Sequence, residues 1–71
     1  MQLLLAVLLY LNILAPDNTY YLSFIDAEEA LLAPTIELVE DDPVQMEIVN
    51  DIYMPMVQRI IVADDLSGYG D

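Results

Sequence analysis

Met1 to Ala15 reads MQLLLAVLLYLNILA, and no acidic residue occurs before Asp17. A stretch with so little polar surface must be covered by something, and the cover decides what the chain can become. A membrane-spanning helix needs about 20 apolar residues, whereas this run is interrupted by Asn12 and stopped by Pro16. Nor does it resemble a secretory signal. No Lys or Arg precedes the run, and Ala15 is followed by Pro16 rather than by a small-residue cleavage site. The reading is therefore a buried core element or an oligomer interface, with a buried strand or contact with a membrane as alternatives; membrane contact is not favoured.

The rest of the chain is as acidic as its front is apolar. Thirteen carboxylates stand against one basic side chain, Arg59, for a net charge of −12 over 71 residues. Asp26, Glu28, Glu29, Glu37, Glu40, Asp41, Asp42, Glu47 and Asp51 crowd the middle. A magnitude of roughly 2 to 8 keeps a small domain soluble. Self-repulsion beyond that weakens folding unless high salt, bound cations or a basic partner screens it. Yet 58% of the residues are apolar, too many for a disordered acidic tail and more than one small core hides. A single domain over residues 1–71 in an oligomeric or complex-bound state is the expectation.

Prolines divide the chain beyond Ala15. Pro16, Pro34 and Pro43 fall between periodic stretches, and each biases its preceding residue away from helix. After Pro43, Val44, Ile48, Val49, Ile52, Tyr53, Met56, Val57, Ile60 and Ile61 recur at helical spacing, which predicts an amphipathic helix over 43–63. Asp42 is placed to be its N-cap, Pro43 to be its first residue, and Gln45 to complete a capping box. Pro55 should kink or divide this helix, and the β-branched Ile60, Ile61 and Val62 keep a terminal strand open as an alternative. Thr19 to Ile25 reads either as a strand, paired in a hairpin with Leu9 to Leu14 across a type I turn at Ala15 to Asn18, or as part of a helix. Ala27 to Ala33 reads as helical with Asp26 as N-cap, Thr35 to Glu40 as a short strand or extended connector, and 64–71 as a flexible acidic tail. The fold class is mainly α, or small α+β.

Histidine, cysteine and lysine are absent. With them go the usual general base, thiolate nucleophile and soft metal ligands, so neither an enzyme nor a cofactor nor a metal site is expected. Ser23 and Ser67 have no histidine or lysine to activate them. The pairs Glu28/Glu29, Asp41/Asp42 and Asp64/Asp65 read as solvated helix ends, because the macrodipole favours carboxylates at helix starts. Asp65, Ser67, Tyr69 and Gly70 have the odd-position oxygens of a calcium loop, but the bidentate acid such a loop requires six residues beyond its glycine is missing. The segment TIELVE is similar to the helix after the modified serine of acyl carrier proteins. That family's Asp-Ser-Leu is missing, however: Ala33 and Pro34 stand before Thr35.

Direct nucleic-acid binding is close to excluded, since phosphate affinity rests on Lys and Arg. The inverse fits better. In charge and size the chain resembles the small acidic DNA-mimic inhibitors that viruses make against uracil-DNA glycosylase, restriction enzymes or CRISPR effectors. That resemblance implies a basic nucleic-acid-binding protein as partner and the cytoplasm, a host's if the protein is viral, as location. The partner-binding residues would be Glu28, Glu29, Glu37, Glu40, Asp41, Asp42, Glu47 and Asp51, with Met46, Met54 and Met56 as exposed apolar grip. The alternative is a structural subunit of a capsid, filament or multi-subunit complex. It would dock on sibling subunits through residues 1–15, and a halophilic origin would account for the charge.

Overall fold

Leucine and alanine are strong helix formers, and Gln2–Tyr10 form helix α1 in a computed structural model that describes residues 1–64. A helix of nine residues is marginal alone, so its stability has to come from packing. Leu5, Ala6, Val7, Leu8 and Leu9 are each at most 4% exposed. Because they are consecutive, they point in every direction around the helix axis, and the chain closes over this part of α1 on all sides, while Gln2 and Leu3 stay exposed. Ile25, Ile36, Val39, Val49, Val57 and Ile60 supply the wall. Fully burying one such side chain is worth about 1.5–3 kcal/mol. The apolar front is thus the core, as its composition suggested.

Asn12 ends α1. Its φ of 65° is left-handed, a conformation asparagine tolerates better than most residues. There the Asn12 N–H donates to the Leu9 carbonyl at 3.0 Å and the Ile13 N–H to the Leu8 carbonyl at 2.9 Å. This pair of bonds is a Schellman motif, which satisfies carbonyls the helix leaves unpaired. Asp17 also has a positive φ, 66°. In a turn from Ala15 to Asn18 that geometry belongs to type II, not to the expected type I. The Asn18 amide holds the turn by donating to the Pro16 carbonyl at 3.0 Å, and the Ala15 N–H donates to the Tyr20 hydroxyl at 2.9 Å.

The hairpin alternative for Thr19 to Ile25 does not form. Leu9 and Tyr10 are already helical, and strand β1, Asn18–Tyr21, pairs instead in parallel with β2, Ile60–Ala63, in the register Asn18↔Ile60 to Tyr21↔Ala63. The ambiguous second segment divides between its two readings. After β1, helix α2 spans Leu22–Leu31 with Tyr21 as N-cap, so Asp26 lies inside the helix and does not start it. Helix α3, Ala33–Glu40, replaces the extended connector. Its Pro34 sits in the first turn, where a missing N–H costs nothing, and Ile36 and Val39, three apart, face the core.

Helix α4, Pro43–Ile48, begins as expected, with the Val44 N–H donating to the Asp42 carboxylate at 2.9 Å. Gln45 departs from the capping box. Its amide donates to the Asp42 side chain at 2.9 Å while accepting from the Tyr10 hydroxyl at 2.9 Å, which ties α4 to the end of α1. The regular helix then stops. Pro55 has no N–H to give and its ring crowds the carbonyl four residues back, and Val49–Tyr53 widen into a π turn closed by the Met54 N–H on the Val49 carbonyl at 2.8 Å. A 3-10 turn, Pro55–Arg59, leads into β2. The helix expected over 43–63 is therefore divided at Pro55 and gives way to a strand at Ile60, where the β-branched run begins.

Asn12 offers a direct test of the end of α1. Replacing it with valine, which resists a positive φ, should cost about 1–2 kcal/mol in urea unfolding, whereas glycine should cost close to nothing. Equal stability of the two variants would mean that the turn is not left-handed.

Candidate protein-binding surface

Every carboxylate expected to face a partner reaches the surface. Glu29, Glu37, Glu40, Asp41, Glu47 and Asp51 are exposed, and Glu28 and Asp42 are half-buried. Their placement on the helices is not the expected one. None of α2, α3 and α4 has an acid in its first turn. Glu28 and Glu29 fall in the last turn of α2, Glu37 and Glu40 in the last turn of α3, and Asp41 is the C-cap of α3. A helix C-terminus carries partial negative charge, and a full charge in the last turn matters there by about 0.3–1 kcal/mol, favourably only for cations. No basic residue occupies these last turns. The fold thus sets carboxylates where its own backbone repels them.

Asp42 is the exception. Its carboxyl is held below the ordinary carboxylate value by the Gln45 amide first and the Val44 N–H second. It is a structural cap as well as a surface acid, which sets it apart from Glu40 and Asp41 beside it.

The lone basic side chain is engaged within the fold. Arg59 forms a two-pronged pair with Asp17, its Nε donating to Oδ1 at 3.0 Å and its Nη2 to Oδ2. The Asp17 N–H also donates to the Arg59 carbonyl at 2.8 Å. The pair is solvent-exposed and joins residues 42 apart at the mouth of the β1–β2 ladder. The Arg59 hydrogen bond holds the Asp17 carboxyl below its ordinary value. Nothing in the spacing of the sequence signals this partnership. Its only hint is that one cation among thirteen acids must pair somewhere.

The three methionines assigned as exposed grip are not free. Met46, Met54 and Met56 are half-buried and pack against the core. The side chains that are open lie elsewhere: Leu31 is 74% exposed, Leu38 70% and Val44 68%. The apolar stripe predicted after Pro43 is split between core and solvent. Val49, Val57 and Ile60 are inside and Tyr53 and Met56 lie partly inside, while Val44, Ile48, Ile52 and Ile61 face solvent. Val44 and Ile48 are already on the solvent side within α4, before the π turn begins.

A cavity of about 400 Å³ is lined by Gln2, Asn50, Met54, Pro55, Val57 and Gln58, none of them titratable. Among the described residues no group of three acids, histidines or cysteines is placed to hold a metal ion. The calcium-loop reading of the tail falls on residues outside those described. No helix is long and apolar enough to cross a membrane among the described residues. Compared with protein-family models, curated proteins and solved structures, the chain matches none at a significant level.

The lowered Asp17 value has a signed consequence. A carboxyl depressed in the folded state stabilises it fully above the unfolded value of 3.8 and loses that contribution as pH falls through the folded one. Below about pH 4 the wild type should therefore lose more stability than Asp17→Asn, which has no such group to titrate. Parallel acid titrations followed by circular dichroism would check it; identical slopes would mean the ion pair does not persist in solution. Screening of the unbalanced carboxylates should also raise the melting temperature between about 50 mM and about 500 mM sodium chloride.

Proposed function

We propose that this chain is a small acidic protein-binding module that occupies the basic nucleic-acid groove of another protein, its carboxylates standing in for phosphates. The observation that carries this reading is the crowding of exposed acids at the carbonyl ends of α2 and α3 with no internal cation beside them. Such an arrangement costs stability in the free protein, and a cationic partner removes the cost. DNA mimicry of this kind acts in the cytoplasm, where the nucleic-acid enzyme of a host would be met. The assembly-subunit alternative draws less support, because much of the segment meant for docking, residues 1–15, is taken up by the core: Leu5 to Leu9 and Leu14 are buried, although Met1 and Leu3 stay exposed.

Competition is the test. Uracil-DNA glycosylase, a restriction endonuclease and a CRISPR effector would each be titrated with the protein and with duplex DNA. One of them should be inhibited, binding should exclude DNA, and affinity should fall steeply as salt rises. Single exposed charges contribute little, so Glu37, Glu40 and Asp41 are best reversed to lysine together, which should weaken binding roughly tenfold or more. Asp42 is spared because it caps α4. Simultaneous binding of DNA and this protein to the same target, or indifference to the triple reversal, would remove the mimicry reading.

A further inference from the structure

Val44, Ile48 and Ile52 succeed one another at intervals of four along α4 and the π turn, so they share a face. They are 68%, 36% and 55% exposed. The core-facing side of the same segment is already supplied by Met46, Val49 and Tyr53, so this is a second apolar stripe, left uncovered by the described residues of its own chain. Glu47 and Asp51, both exposed, lie one position before Ile48 and Ile52 and border the stripe on its solvent side.

Charge decides what covers it. A second copy docking stripe to stripe would bring two sets of Glu47 and Asp51 together, and like charges across an interface oppose association. An anionic membrane surface and a nucleic acid are disfavoured by the same carboxylates. A polypeptide that sets cations beside apolar side chains meets both requirements, and helix-on-helix docking reads anchors at this interval. We infer that the Val44, Ile48 and Ile52 stripe is the apolar anchor of the partner interface, and that it takes a basic amphipathic helix of the target protein. This inference deepens the proposed function and rests on it.

A synthetic amphipathic helix of leucine and lysine is the probe, with an all-lysine peptide of equal charge and a leucine–glutamate helix as controls, titrated by calorimetry. The leucine–lysine helix should bind at least about tenfold more tightly than the all-lysine peptide. The double variant Ile48→Ser, Ile52→Ser should abolish that advantage, leave all-lysine binding unchanged, and melt as the wild type does, since both side chains are at the surface. Equal binding of the two cationic peptides, unaffected by the variant, would overturn the anchor while leaving the acidic surface intact. Comparable binding of the leucine–glutamate helix would show indiscriminate apolar association and overturn it too. If sedimentation finds a dimer that the double variant dissolves, a second copy is the occupant and the inference fails. Failure of both cationic peptides to bind at low salt would overturn the anchor and the proposed function together.

Discussion

A helix without a polar side cannot lie on a surface, and the rest of this structure depends on that requirement of α1. Its residues Leu5 to Leu9 need cover in every direction, which the chain provides by wrapping the later helices and turns around them. The wrap needs a sharp exit, made by left-handed Asn12. It needs a closure, made where β1 meets β2 and Asp17 meets Arg59. Finally it needs a tie between α1 and α4, made by Tyr10 through Gln45 to Asp42 and by the edge-to-face contact of Tyr10 with Tyr53 at 5.6 Å.

What the sequence disclosed was local. The buried front, the boundaries at the prolines and the Asp42 cap each depend on a few neighbouring residues, and each is where composition and spacing place it. The parallel pairing of Asn18–Tyr21 with Ile60–Ala63 was illegible because its partners are remote in sequence and parallel pairing has no turn signal to announce it. The helical state of Thr35 to Glu40 was hidden by a weak alternation that the step from Ile36 to Val39 outweighs. The surface was harder still. Spacing alone put Val44, Ile48 and Ile52 on one stripe with Val49, Tyr53 and Val57, and the acids at helix starts; the structure turns the first three to solvent, and the true limits of α2 and α3 put Glu28, Glu29, Glu37 and Glu40 in last turns.

Two kinds of apolar surface therefore coexist. One is consumed by α1 and cannot be reassigned without unfolding the protein. The other, on α4 and at Leu31 and Leu38, was never taken up by the core and is interleaved with carboxylates. Charge of one sign opposes contact between copies of such patches, and the proposed function would use that repulsion to select among partners.

The position of α1 in the chain bears on how the protein is made. Synthesis proceeds from the N-terminus, so α1 emerges before the π turn and the 3-10 turn that pack against it, which come from residues 49–59. Until nearly all of the described chain has left the ribosome, α1 has no cover and no charged residue of its own. The nascent chain passes through an interval in which its future core is its stickiest exposed segment. Cover for α1 thus comes late, and the yield of folded protein should depend on how long that bare segment waits for it.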